Sequence, residues 1–231
     1  MSALFSYSLT VSLVVILIFP VLHQIVNRCT SFRFNRIVLL TGMILSLALP
    51  FILDGYIALF QNIASVTISS GQPIPTHSPA PIAAQTVEAP MLGESPIIPS
   101  LIIIYLTGIA LLLLREIFSF CRLFQLIAEC DKIRREGVTI RLLTNPKMAP
   151  FSWGNFIFLH ESEFKSNDCG IFLHEKGHTL KRHWIDVLFA DLFCILLWFN
   201  PFAWLTRQLM RLNQEFEADE TAINSGMGPF S

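Results

Sequence analysis

Charged residues are scarce in this sequence. Asp, Glu, Lys and Arg make up 14% of its 231 residues, whereas an average soluble domain carries roughly 25%. That scarcity argues against an ordinary cytosolic enzyme. Hydrophobic residues make up 53% of the chain, which excludes an intrinsically disordered protein, because disorder requires low hydrophobicity and high net charge. The formal net charge of −1 gives the chain no overall basic field that would attract nucleic acid, so we expect no direct binding of nucleic acid.

Three apolar stretches contain no charged side chain, and each is long enough to cross a lipid bilayer as a helix: 1–27, 37–53 and 97–114. Only basic residues follow the first stretch, only acidic residues separate the second from the third, and basic residues are concentrated after the third. The positive-inside rule therefore places the N-terminus and the middle loop outside the cell. The sequence predicts a mainly α membrane protein.

Four units are expected along the chain. Two membrane helices with a short basic cytoplasmic loop occupy 1–70, and a Pro-rich outer linker occupies 71–96. The linker is either a passive spacer or a recognition segment. A third membrane helix over 97–136 extends into the cytosol and ends at Gly137. A small α+β domain over 137–231 follows, with strands at 138–143 and 155–159.

The pattern H-E-x-x-H occurs at 174–178. On a helix, His174 and His178 lie on one face, so both imidazoles can bind one Zn²⁺ ion. Glu175 lies beside them and can take a proton from a water molecule activated by the metal. The alternative is a surface helix that happens to carry two histidines.

A catalytic zinc site needs a third protein ligand. Glu215 and Asp219 are four residues apart, so Glu215 can bind the ion while Asp219 accepts a hydrogen bond from a ligand histidine. Glu217 is expected to point away from the site. The alternative for this acidic run is a solvated helix face, and the H-E-x-x-H pattern favours the ligand interpretation.

The apolar segment between these two motifs creates a conflict. If residues 185–206 crossed the membrane once, Glu215 would lie on the far side of the bilayer from His178. Asn200-Pro201 disfavours a continuous helix, and Asp186 and Asp191 disfavour a lipid-facing span. We therefore expect a re-entrant apolar helical hairpin over 185–206, with the metal site at the boundary between membrane and cytosol.

Together, these motifs resemble the membrane metallopeptidases of the BlaR/MecR type, the bacterial beta-lactam sensor-transducers and antirepressors. The segments that carry the resemblance are A-P-F-S-W-G at 149–154, H-E-K-G-H at 174–178, K-R-H at 181–183 with Asp186, W-F-N-P-F at 198–202 and E-F-E-A-D-E at 215–220. No penicillin-binding sensor domain accompanies them, so we expect the protease portion of such a protein, and beta-lactam sensing is not implied.

The resemblance implies a gluzincin-like zinc endopeptidase in the bacterial cytoplasmic membrane. His174, His178 and Glu215 would be the ligands, Glu175 the general base, and Asp219 the partner of a ligand histidine. The strand that contains Asn155, Phe156, Ile157 and Phe158 would bind an extended peptide by strand addition. His183 is either the donor that stabilises the oxyanion or a structural histidine paired with Asp186.

Three functions are compatible with this site. The first is regulatory proteolysis, in which the enzyme cleaves itself or a cytosolic transcriptional repressor after an outside signal. The second is a non-catalytic membrane transducer with structural zinc, for which Cys169 or His183 would supply a fourth ligand. The third is quality control of membrane proteins.

Overall fold

Three long helices form the N-terminal part of the protein. The computed structural model describes residues 2–69, 97–145, 147–166 and 169–225, so the expected linker over 71–96 lies outside the described residues. Helix α1 spans Ser2–Arg28, α2 spans Phe32–Ser69 and α3 spans Ile97–Glu129. All three are long and apolar enough to cross a membrane. This confirms the predicted mainly α architecture with three helices of membrane length.

Helix α3 ends earlier than its sequence predicts. Strand β1, Asp131–Arg135, pairs antiparallel with β2, Val138–Leu143, and Arg135 lies opposite Val138. The two residues between them, Glu136 and Gly137, have φ angles of 49° and 81°. Positive φ at both positions is typical of the two-residue turn whose twist matches a hairpin. The predicted helix over 130–136 is therefore wrong, and Gly137 closes a hairpin instead of ending a helix.

A four-stranded sheet follows from this hairpin, with the strand order β1-β2-β4-β3. Strand β3 covers Phe151–Trp153 and pairs antiparallel with β4, Phe156–His160, which pairs parallel with β2. The predicted strand at 155–159 is confirmed with a shift of one residue. Asn155 lies in the turn before β4, where its carbonyl accepts a hydrogen bond from the Thr139 N–H at 3.3 Å.

Both faces of the sheet are covered. On one face Ile140, Ile157 and Leu159 pack against Phe172 of α5, which spans Cys169–Leu180 after the short helix α4, Glu161–Ser166. On the other face the fully buried Phe158 packs against the last turns of α3. The sheet thus joins the third membrane-length helix to the helix that carries H-E-x-x-H.

Helices α6 and α7 run antiparallel to each other. Helix α6 spans His183–Leu196 and α7 spans Pro201–Asn224. Side-chain contacts follow one another along the pair, from Arg207 with Asp191 to Gln214 with Asp186. Asn200 begins α7, because its side-chain oxygen accepts a hydrogen bond from the Phe202 N–H at 2.9 Å. The expected break at Asn200-Pro201 is therefore present, and the chain turns back.

The turn between α6 and α7 packs beside the middle of α1 and α3. The Asn200 amide donates hydrogen bonds to the carbonyl and the hydroxyl of Ser12 in α1, at 3.1 and 2.9 Å. The Trp198 indole N–H donates to the Tyr105 carbonyl in α3 at 3.3 Å. Any side chain at Gly108 would clash with the Trp198 ring. Close packing at this point therefore requires glycine.

A buried ion pair holds the start of α2 against α6. The Arg36 Nε atom lies 2.7 Å from Oδ2 of Asp186, which is 3% exposed. The Gln214 amide also donates to that carboxylate at 3.1 Å. Asn213 in the same turn of α7 donates to the Phe32 carbonyl at 2.9 Å. These bonds connect α2, α6 and α7 at one end of the bundle.

Replacing Arg36 with Met is expected to destabilise the fold by about 3 kcal/mol, because Asp186 would keep a buried charge without its cation. Adding Asp186→Leu to that variant removes the stranded charge and is expected to recover most of the loss. Thermal unfolding in detergent would measure both effects. Arg33→Met is the matched control, since Arg33 is exposed on the same helix. Equal losses in the single and double variants would contradict the prediction.

Candidate metal centre

Three potential ligand atoms converge between α5 and α7. His174 and His178 are one turn apart on α5, and their Nε2 atoms lie 3.2 Å from each other. The Oε2 atom of Glu215 on α7 lies 3.4 Å from the first of these atoms and 3.7 Å from the second. These three residues form a group that could hold a metal ion. The structure thus brings together all three ligands expected from the sequence.

The spacing of these atoms fits a small tetrahedral ion. Zn²⁺ with bond lengths of about 2.0–2.1 Å has neighbouring ligand atoms roughly 3.3–3.4 Å apart, and nitrogen and carboxylate oxygen are donors that it prefers. The Glu215 side chain is 58% exposed, so this corner of the site opens towards solvent. Helices α5 and α7 pack against each other here, where Gly177 faces the backbone of Ala218.

Asp219 contacts the ligand histidine that is nearest to it. Its Oδ1 atom lies 2.8 Å from Nδ1 of His174. A carboxylate only accepts hydrogen bonds, so the hydrogen of this imidazole is on Nδ1 and the lone pair is on Nε2. The lone pair therefore faces His178 and Glu215. The structure thus places Asp219 where the sequence expects it, in contact with His174 and outside the group of three potential ligands.

Glu175 is buried beside the histidines, with 8% of its surface exposed. Burial raises the pKa of its carboxyl group, while a hydrogen bond from the Ser152 hydroxyl and the neighbouring His174 act in the opposite direction. Ser152 belongs to strand β3, so this edge of the sheet orients the carboxylate. The sequence gives no sign of this contact, because a serine 23 positions upstream has no spacing relation to the helix.

His183 has neither of the two roles expected for it, which were stabilising the oxyanion and pairing with Asp186. Its Nδ1 atom lies 2.8 Å from Nδ1 of His178, and its Nε2 atom lies 3.1 Å from Oε2 of Glu217. Both ring nitrogens are engaged, so His183 has no N–H left for an oxyanion. Its partner is also not Asp186, which binds Arg36. Burial, reinforced by neighbouring His178, lowers the pKa of His183 to about 4.

Glu217 is expected from helical spacing to lie outside the site, and it does not touch the three ligand atoms. It is nevertheless 1% exposed and binds His183 and Lys181. Burial alone would raise the pKa of Glu217, but the hydrogen bonds from these two residues lower it below its ordinary value. The sequence could not indicate this role, because the face of α7 that carries Glu217 is covered only when α6 folds back.

The expected binding of substrate along β4 is not possible in this sheet. Residues 156–158 pair with β2 on one side and with β3 on the other. Ile157 and Phe158 are fully buried, and Asn155 lies in the turn. A strand with both edges paired cannot add a peptide. The edge strand beside the histidines is β3, over 151–153.

A cleft of about 940 Å³ opens beside the three ligands. Its walls come from the last turns of α3, strand β3 and helices α5, α6 and α7. The rings of Trp153 and Trp184 contact each other on one wall, with centroids 5.5 Å apart. Arg115, Arg122 and Arg211 also line it and are exposed. The cleft is large enough for several residues of an extended peptide.

Comparison with known proteins identifies the segment that carries this site. Residues 157–226 match the family model described as BlaR1 peptidase M56. The match covers less than a third of the 231 residues, so it shows that this segment is similar to M56 peptidases. No curated protein matches the chain. The M56 segment contains β4, H-E-x-x-H, α6, α7 and Glu215, and it confirms the resemblance to the BlaR/MecR type. M56 peptidases are in general metallopeptidases, so the M56 segment and the apolar helices together indicate a membrane peptidase.

The purified chain is expected to bind one Zn²⁺ ion per molecule, and His178→Ala or Glu215→Ala is expected to lose it, because two ligands hold the ion too weakly to survive dialysis. Elemental analysis after dialysis would measure this content. Glu220→Gln, a change at an exposed position of α7 that is not one of the three ligands, is the control. Full zinc content in either ligand variant would contradict the assignment.

Proposed function

We propose that this chain is a zinc-dependent membrane endopeptidase of the gluzincin kind that acts in regulatory proteolysis. The observation that carries the proposal is the convergence of His174, His178 and Glu215, whose ligand atoms lie within 4.8 Å of one another. A buried carboxylate, Glu175, lies beside them on the wall of a peptide-sized cleft. Peptide hydrolysis at a metal requires three protein ligands, a carboxylate that does not bind the ion, and a cleft through which the substrate can reach it.

The chain's own residues have distinct parts in this chemistry. Bound Zn²⁺ would act as a Lewis acid that acidifies water and polarises the peptide carbonyl. Glu175 would accept the proton of the attacking water and deliver it to the leaving amine. Burial favours proton uptake by this carboxylate, and the Ser152 hydroxyl holds its orientation. Strand β3 would align the substrate backbone beside Glu175 through its unpaired edge.

Arg211 is the best placed group to stabilise the negative charge that develops on the carbonyl oxygen. It precedes Glu215 by one helical turn, so both side chains project from one face of α7. It lines the cleft, and it has no ion-pair partner in the described part of the chain. No tyrosine lies among the described residues of the cleft wall. The Tyr105 hydroxyl instead donates to the Leu196 carbonyl at 3.0 Å.

The cleft would lie on the cytosolic side of the bacterial membrane. Basic residues surround the start of α2 and the end of α3, which the positive-inside rule assigns to the cytosol. In the turn between α6 and α7, Asn200 contacts Ser12 and Trp198 contacts Tyr105. Ser12 and Tyr105 lie within the apolar parts of membrane-length helices. These contacts support a re-entrant α6–α7 hairpin with its turn at membrane depth and Glu215 returned to the cytosolic face.

The substrate would be the chain itself or a cytosolic transcriptional repressor. The M56 match supports this proposal, and so does a cleft bounded by the cytosolic end of a membrane-length helix. A non-catalytic zinc transducer is the weaker alternative, because His183 is engaged elsewhere and a structural site has no use for the buried Glu175. Quality control of membrane proteins is a further alternative, which would use the same catalytic site as regulatory proteolysis and differ only in the substrate.

Glu175→Gln is expected to lower cleavage by at least about 10²-fold, because the amide cannot accept a proton, while zinc content stays unchanged. Comparing newly formed protein N-termini in cells that carry the wild type or this variant would measure the loss and identify the substrate. Glu220→Gln is the matched control. Undiminished cleavage by Glu175→Gln would contradict the proposal, and many unrelated membrane proteins among the products would favour quality control.

Arg211→Met is expected to lower kcat by roughly 10²-fold, the usual effect of removing one oxyanion donor, with little change in KM. Arg211→Lys is expected to recover part of this loss, because it keeps the charge. Steady-state kinetics on a peptide that spans the identified cleavage site would measure both constants. A raised KM with unchanged kcat would instead assign Arg211 to binding of a substrate side chain.

A further inference from the structure

The second ligand histidine is held by a chain of polar groups, two of which are fully buried. Nδ1 of His178 lies 2.8 Å from Nδ1 of His183, whose Nε2 lies 3.1 Å from Oε2 of Glu217. Lys181 lies 3.2 Å from Oε1 of the same carboxylate and donates to the Glu217 carbonyl at 3.0 Å. His183 and Glu217 are 2% and 1% exposed. Solvent therefore cannot substitute for either of these two side chains.

Only one set of hydrogen positions satisfies all of these contacts. The Glu217 carboxylate can only accept, so His183 donates from Nε2. A neutral His183 then has a lone pair on Nδ1 and must accept from Nδ1–H of His178. The lone pair of His178 is thereby fixed on Nε2, which faces His174 and Glu215. The opposite direction would need hydrogens on both nitrogens of His183, which would place a buried cation close to Lys181.

The two ligand histidines are therefore oriented by different means. His174 uses a single carboxylate, Asp219, whose side chain is 59% exposed. His178 uses an imidazole followed by a buried carboxylate. The second arrangement joins three elements, because Lys181 and His183 lie at the corner between α5 and α6 while Glu217 lies on α7.

We propose that His183 and Glu217 are positioning residues that fix His178 in the tautomer and orientation needed to bind the metal. This inference rests on the proposed zinc site. Groups that orient a metal-bound histidine commonly change metal affinity by 10- to 100-fold when they are removed. The relay also makes metal affinity depend on how α6 and α7 pack. Lys181 supports it by contacting both the carboxylate and the backbone carbonyl of Glu217.

The test measures zinc affinity of the purified full chain in detergent by competition with a chromophoric chelator. His183→Leu is expected to weaken binding by about 10- to 100-fold. His183→Gln is expected to recover part of that loss, because its side-chain carbonyl can accept from His178. Glu217→Gln, which has nearly the same shape, is expected to weaken binding by about 10-fold. Glu220→Gln is the matched control and should bind as the wild type does.

Thermal melting of each metal-free variant separates positioning from packing. If His183 only fills space, its variants lower the melting temperature and leave zinc affinity unchanged, which would overturn the inference. Should His183→Leu fail to fold, Glu217→Gln decides, because unchanged affinity in that variant also overturns it. The losses from His183→Gln and Glu217→Gln should also be less than additive, since they act through one relay. A wild type that binds no zinc would instead overturn the proposed metallopeptidase.

Discussion

One ion can contact both histidines of α5 and Glu215 of α7 only because the chain reverses between Leu196 and Pro201. Residues 185–206 are apolar enough to continue across a bilayer, so the reversal is not a consequence of composition. It depends on Asn200, which begins α7 through its oxygen and binds Ser12 through its amide nitrogen. One side chain thus starts the returning helix and attaches it to α1. The distances from Glu215 and Asp219 to the two histidines follow from that turn, whereas the distance between the histidines is set within α5.

The sequence predicts the metal centre better than the sheet. Residues spaced by four on a helix share a face whatever surrounds them, so His174 could be paired with His178, and Glu215 with Asp219, from spacing. The H-E-x-x-H pattern then favoured the acidic pair as part of the same site. The hairpin at Glu136-Gly137 could not be predicted in this way. Residues 116–136 carry a helical apolar pattern, and the turn depends on two positive φ angles. The expected strand addition at 156–158 failed because sheet order depends on long-range pairing, which places β3 at the edge instead.

The structure also contains buried polar groups that helical spacing in the sequence could not reveal. Glu217 faces away from Glu215 on α7, and a solvated position would be the ordinary expectation for it. Its burial is tolerable because His183 and Lys181 supply hydrogen bonds, as Arg36 does for Asp186. Uncompensated, each carboxylate would cost several kcal/mol in such surroundings. The positions of these pairs at the junction of α2, α5, α6 and α7 mean that the same bonds stabilise the junction and orient the site.

Helix α3 contacts both the turn between α6 and α7 and the sheet beside the cleft. Its middle packs on the hairpin turn, where Gly108 meets Trp198, and its last turns cover Phe158 of the sheet and form one wall of the cleft. Strand β3 contacts the same turns of α3, because the Trp153 ring lies 5.8 Å from that of Phe120 and 6.4 Å from that of Phe124. A shift of α3 would therefore also displace the strand that carries Ser152, the hydrogen-bond partner of Glu175. In the proposed function, a signal received outside the membrane would reach the cleft and the general base through these contacts.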